Sequence, residues 1–401
     1  GGVLLAQELA PKGVMVQIAN NEALSAARLN GAQMESIRAV TVMKSVGAHV
    51  ASDALALGNM AGTGPGGSAV AVFGDDTWSE GTQVPADSRF IAKHLYMPII
   101  EPSTFQEMKD WMGAALDLSE ETRLYVAYLV TSNQADGGGT VKVHPNNFPD
   151  LTVRSPVTID SRTIPVDDRV IIPPSTAIKE DDVLHTRFPA IIEAARARNL
   201  NRIVHGRAER SSIGFVTSSL SYCYLEHALD LMGLGGRFPI LKYGLTYPLD
   251  SRILGEFCDQ ADQIVVVEEK RPFLEEQVKA AVFELERNEI SVWGKRFPGG
   301  IEGFPDTQGM NPSIVLEVLA RLVDAVGLDD LDRDRIDAEV RLIQETSEYE
   351  LHATARTPSF CPGCPHRDSA SVLNRVVDDF MDSEYMRATH GRDEVDLVFH
   401  G

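Results

Sequence analysis

Cys361-Pro362-Gly363-Cys364-Pro365-His366-Arg367 is the stretch whose residue types and spacing promise most chemistry. Two thiols three positions apart can clamp a metal, close a redox disulfide or line a pocket. A structural zinc needs four ligands. Cys223 and Cys258 stand apart and form no second pair, and His366 sits tight against Cys364. A thioredoxin-type role needs the pair between a strand and a helix. Ser369–Phe380 reads as such a helix, but no strand precedes Thr357-Pro358-Ser359-Phe360, so a loop that shapes a site is expected. Glu22 follows Asn20-Asn21, two N-cap types. Its ordinary role is a carboxylate at a helix start; its functional role requires a hidden carboxyl that bonds a ligand nitrogen. Lys44 closes a strand, Asp75-Asp76 reads as a turn, and His49 reads as a core histidine in an apolar helix. Gly62-Thr63-Gly64-Pro65-Gly66-Gly67 lies after a helix and before a strand, the wrong order for a dinucleotide fingerprint.

The elements that must position these residues alternate. Strands are expected at Met15–Ala19, Arg38–Met43, Ser68–Phe73, Met97–Ile100 and Leu124–Val130. Helices fall between them at Ala23–Met34, Val46–Leu57 and Phe105–Leu118. Glu22, Lys44 and Asp75-Asp76 then sit at strand carboxyl ends, where parallel sheets bind ligands. Residues 136–190 are rich in Pro, Asp, Thr and Ser and read as a connector, with a helix at Phe188–Arg198. A second α/β block follows, with strands Ile213–Thr217, Phe238–Leu241 and Gln263–Val267 and helices Tyr222–Met232, Asp250–Cys258, Phe273–Arg287 and Ser313–Val326. Asp329–Glu350 reads as a solvated, charged helix.

With 401 residues, the chain can build two or three domains. Lys and Arg total 37 against 58 Asp and Glu, a net charge of −21. That charge opposes binding to nucleic acid or anionic lipid. No apolar run reaches a membrane span of about 18 residues. Four cysteines make no disulfide framework and suit a reducing compartment. Gly1–Ala6 reads as a helix already under way, and Val395–Gly401 as a strand entering a glycine turn. The chain is therefore expected to be an internal piece of a longer protein.

Four segments, in order, resemble one family. They are Thr41-Val42-Met43-Lys44-Ser45-Val46-Gly47 through Asp53, Leu241-Lys242-Tyr243-Gly244-Leu245-Thr246-Tyr247-Pro248-Leu249, Val265 through Val278 with Glu268-Glu269-Lys270-Arg271-Pro272, and Cys361–Arg367. Together they resemble the thiamine-diphosphate-dependent 2-oxoacid:ferredoxin oxidoreductases, in particular the indolepyruvate ferredoxin oxidoreductase alpha-subunit branch. The resemblance implies an α/β fold: a parallel-sheet pyrimidine-binding domain (1–135), the connector (136–190), a transketolase-C-like domain (191–328), a charged helical linker (329–356) and the start of a diphosphate-binding domain (357–401).

It also implies roles. Glu22 takes the place of the glutamate that bonds the cofactor's aminopyrimidine ring and favours the tautomer that takes a proton from the thiazolium carbon. Cys361, Gly363, Cys364 and His366 belong to a loop near the thiazolium and substrate, and Gly401 opens the turn that holds Mg2+ and diphosphate. [4Fe–4S] clusters belong outside this segment. The family's Tyr-Pro-Gly-Thr-Pro-Ser-like turn is not in the sequence, and Asn20-Asn21-Glu22 and Trp78-Ser79-Glu80 depart from the usual local pattern. The implied reaction is oxidative decarboxylation of a 2-oxoacid, an arylpyruvate such as indolepyruvate, with coenzyme A to acyl-CoA, CO2 and reduced ferredoxin. A partner subunit or fused gamma-like domain, a dimer and a cytoplasmic location go with it, and the segment alone is expected to be inactive. The alternatives are a non-oxidative thiamine-diphosphate decarboxylase or transferase, and a non-catalytic fragment that holds a partner.

Overall fold

Strands that read as unbroken apolar runs are buried on both faces, and helices cover them. A computed structural model describes residues 2–145, 162, 169, 171–206, 209–328, 331–349 and 364–399. The first block comprises α1 (Gly2–Leu9), α2 (Glu22–Ala32), β1 (Arg38–Lys44), α3 (Ser45–Ala61), β2 (Ser68–Asp75), α4 (Ser88–His94), β3 (Ile99–Ile100), α5 (Phe105–Thr122), β4 (Val126–Thr131) and α6 (Ser132–Asp136). Next come α7 (Ser175–Asp182), one π-helical turn (Val183–Arg187) and α8 (Phe188–Ala197). The second block holds β5 (Arg202–Val204), β6 (Gly214–Ser218), α9 (Ser219–Leu231), β7 (Ile240–Tyr243), β8 (Leu245–Tyr247), α10 (Ser251–Cys258), β9 (Gln263–Val267), α11 (Phe273–Glu284), β10 (Ser291–Trp293), α12 (Pro312–Val326) and α13 (Arg333–Ser347).

Two five-stranded sheets result. The first runs β1-β2-β4-β3-β8, parallel except for β8; the second runs β10-β9-β6-β7-β5, parallel except for β5. The α/β class with parallel sheets is thus as expected. One face of the first sheet packs Phe73 against Ala26 and Leu29 of α2 and Ala48, Ala51 and Leu55 of α3. Its other face packs Val70 and Val126 against Trp111 and Leu118 of α5 and Ile191 of α8. Each large aliphatic side chain so buried contributes roughly 1.5–3 kcal/mol. The second sheet is likewise covered on both sides.

The two sheets share one extended segment. β7 lies in the second sheet and β8 in the first, with only Gly244 between them. A Cβ at Gly244 would stand 2.6 Å from the Leu200 carbonyl oxygen and from the Trp111 ring, so no larger residue fits. Asn201 Oδ1 accepts from the Gly244 and Leu245 amides at 3.0 and 2.9 Å. Beside this seam, the Lys242 ammonium of β7 donates to both Glu107 oxygens of α5 at 2.7 and 2.8 Å. It also lies 4.2 Å from the centre of the Tyr222 ring. Glu107 accepts further from Arg202 at 2.7 Å and from the Ser103 amide at 2.9 Å.

Several expectations are corrected. Met15–Ala19 is no strand: among the described residues it pairs with no strand, and Met15 and Ile18 are exposed. Val395–Phe399 is also irregular, with Val398 84% exposed. His49 faces solvent on α3 rather than the core. The expected helix at Phe188 is present as α8, and α7 and the π turn before it, which were not foreseen, carry the helical stretch back to Ser175. Its π turn precedes Pro189, whose ring and missing N–H a regular turn would not tolerate. β5, β8, β10 and α4 were not foreseen. α13 is largely exposed, as expected, with Ile336 anchoring it to the second core.

Residues 346–401 form a separate compact unit. It contains α14 (Pro365–Met381) and α15 (Ser383–His390). Asp382 caps α15 by accepting from the Glu384 and Tyr385 amides, and Phe380 and Tyr385 meet the His390 ring.

Candidate functional site

Glu22 opens α2, and Asn21 caps it by accepting from the Leu24 amide at 2.9 Å. Ser25 and Thr41 hydroxyls meet at 2.6 Å and tie α2 to β1. The Glu22 side chain is half-buried and lies over Gly47 of α3. Its carboxylate has no hydrogen-bond or ion-pair partner among the described residues. Asn21 already serves the helix start, so Glu22 is left open to a ligand donor.

Lys44 ends β1 nearby in the sheet. Its ammonium donates to the Gly81 carbonyl at 2.7 Å. Asp76 accepts from the Glu80 and Gly81 amides at 3.1 and 2.7 Å. Burial would raise the Asp76 carboxyl; those amides and Lys44 instead hold it below its ordinary value. Together Lys44 and Asp76 brace the loop after β2 over the strand ends.

Asp75 is buried and is no simple turn residue. It accepts from the Ser88 amide at 2.9 Å and from the Ser88 hydroxyl. It belongs to a junction the sequence reading missed, where carboxyl ends of strands from both sheets meet. Arg89 of α4 is its centre, paired with Asp87 at 2.7 Å and Glu268 at 2.9 Å. It also donates to the Glu269 carbonyl at 2.8 Å. Burial would lower the Arg89 pKa, but Asp87 and Glu268 hold it well above the ordinary value. A cavity of about 30 Å³ lies among these groups, room for about one water. Ser219 and Lys270, at φ 51° and 58°, both line it in the left-handed conformation that costs non-glycine residues energy. They flank the gap between β6 and β9, where the strand order of the second sheet reverses. Glu268-Glu269-Lys270, charged residues directly after the most apolar strand, was the available signal.

Burial, then the neighbouring Asp87, pushes the Asp75 carboxyl up to about 7. A folded-state pKa above the unfolded value makes the folded chain hold the extra proton. Asp75 therefore favours folding fully below its ordinary carboxyl range and loses that contribution as pH rises to about 7. At about 1.4 kcal/mol per pH unit, the loss between pH 5 and pH 7 is about 2–3 kcal/mol. Urea titrations across this range should show the wild-type stability falling relative to Asp75→Asn. Parallel curves for the two proteins would refute it.

Of the cysteine loop, Cys361 and Gly363 lie outside the described residues, as does Gly401. Cys364, half-buried, precedes α14, and its Sγ lies 3.5 Å from Nδ1 of the exposed His366.

A model of the indolepyruvate oxidoreductase domain matches residues 202–350. The indolepyruvate oxidoreductase subunit IorA of Methanothermobacter thermautotrophicus is 30% identical over 372 residues, 92% of this chain and 54% of that one. IorA of Archaeoglobus fulgidus is 28% identical over 354 residues, 88% of this chain and 52% of that one. The chain thus spans about half the length of the curated relatives it matches. Among solved structures, the 2-oxoglutarate:ferredoxin oxidoreductase from Magnetococcus marinus, with 2-oxoglutarate, coenzyme A and succinyl-CoA bound, superposes with a TM-score of 0.56 at 15% identity. That match covers 81% of this chain and 59% of the other, and shows a common fold. Among the described residues, no helix is long and apolar enough to cross a membrane.

Proposed function

The chain resembles the indolepyruvate branch of the thiamine-diphosphate-dependent 2-oxoacid:ferredoxin oxidoreductases, and from that premise we propose that it supplies the pyrimidine-binding side of such an enzyme's active site. The observation that carries the proposal is Glu22: a half-buried carboxylate at a capped helix start, over a glycine, without a partner among the described residues. A carboxyl group so placed fits an aminopyrimidine ring, which offers a nitrogen for it to bond. Thiamine diphosphate, when bound, supplies an electron sink for decarboxylation of a 2-oxoacid. Glu22 holds the proton shared with the ring nitrogen, α2 and α3 fix its height, and the loop braced by Lys44 and Asp76 borders the strand ends. Cys361, Gly363, Cys364 and His366 are proposed to line the substrate side, and Gly401 to begin the Mg2+ and diphosphate turn. The first α/β block is read as pyrimidine-binding and the second as transketolase-C-like, with the boundaries given above.

For the complete enzyme the reading is oxidative decarboxylation of an arylpyruvate with coenzyme A, passing electrons through [4Fe–4S] clusters to ferredoxin. A partner subunit is part of the reading, since the curated relatives are named as subunits. A dimer and a cytoplasmic setting belong to it too; free Cys223, Cys258 and Cys364 suit a reducing compartment. The test is a panel of indolepyruvate, pyruvate and 2-oxoglutarate with the complete enzyme. Coenzyme-A-dependent ferredoxin reduction is expected, with kcat/KM for indolepyruvate higher by about tenfold or more, the scale of pocket discrimination. Aldehyde release without ferredoxin reduction would favour the non-oxidative alternative, and no turnover of any 2-oxoacid would overturn the reading.

A further inference from the structure

Gly47 is the third residue of α3, buried, and its φ is not in the left-handed range where glycine has an advantage. Glycine is the poorest helix former after proline, so local propensity favours alanine there. What opposes alanine is one side chain. A Cβ at Gly47 would stand 2.4 Å from Glu22 Cγ and 2.9 Å from both Cδ and Oε1. No other residue is among the three nearest atoms. The Ser25–Thr41 contact and the Asn21 cap hold the α2 backbone in place, so a methyl group here would move the Glu22 side chain rather than the helix.

We propose that Gly47 is a positioning residue: the hydrogen in place of its side chain leaves the space that seats the Glu22 carboxyl. This rests on the reading of Glu22 as the acid that faces the cofactor ring. The helix accepts a weaker local residue there so that one carboxylate can keep its geometry.

The test uses Gly47→Ala, Glu22→Gln and their combination in the complete enzyme. Gly47→Ala should keep or raise the melting temperature while lowering kcat by about 10²-fold, the scale of a 1 Å misplacement. The combined variant should be no slower than Glu22→Gln alone. Without cofactor, Gly47→Ala should raise the melting temperature more in a Glu22→Ala background than in the wild type, because the contact is gone. Normal turnover of Gly47→Ala beside an impaired Glu22→Gln overturns this inference alone. Normal turnover of Glu22→Gln overturns the reading of Glu22 and the inference with it. Should Gly47→Ala fail to fold, adding Glu22→Ala restores folding; continued misfolding shows that the methyl clashes elsewhere and overturns the inference.

Discussion

Replacing Glu22 by glutamine in the complete enzyme lowers kcat by about 10²–10⁴-fold, the usual span for a lost acid–base group, and leaves the melting temperature almost unchanged. The two halves of this expectation have separate causes. Glutamine keeps the shape of the side chain over Gly47, and Asn21, not Glu22, caps α2. The carboxylate's attraction to the helix N-terminus is worth only about 0.3–1 kcal/mol at an exposed site. What glutamine cannot do is share a proton with a ring nitrogen. Steady-state turnover beside a thermal melt separates the two. Near-wild-type turnover would return Glu22 to a helix-start carboxylate.

Glu107→Ala destabilises the fold by about 3–5 kcal/mol, the cost of leaving a buried charge without its partner. Lys242 is fully buried, so its ammonium cannot recover the lost bonds from water. Burial already lowers the Lys242 pKa, with Glu107 opposing that shift. Lys242→Met should cost less, because Glu107 keeps Arg202 and the Ser103 amide. Urea unfolding of both single variants and the double variant checks this; the double variant should be more stable than Glu107→Ala. Equal losses for the two single variants would mean that the pair contributes through packing alone.

Gln263–Val267 was legible to the residue because a strand buried on both faces reads as an unbroken apolar run. The helix at Glu22 was legible from Asn20-Asn21. β5, β8 and β10 were not, being three-residue strands created by the edge they pair with rather than by their own pattern. Met15–Ala19 failed for the converse reason, an apolar pattern that joins no strand edge among the described residues. Asp75 looked like a turn because sequence order cannot show that Ser88, thirteen positions later, brings its amide and hydroxyl back to it. Gly47 beneath Glu22 is the same kind of fact, a through-space contact between two helices.

The segment that changes sheets at Gly244 has a consequence for how the chain is made. β8 pairs with β3, about 145 positions earlier, at Ile99 and Ile100. A ribosome extruding the protein therefore releases the whole first α/β block with β3 still lacking its second neighbour. β8 covers β3 only after Tyr247 has emerged and the second block has begun to form. Until then β3 is an open strand edge, the kind of surface on which neighbouring chains stick together. The two blocks thus cannot mature one after the other, and any attempt to express the first by itself inherits its unfinished margin.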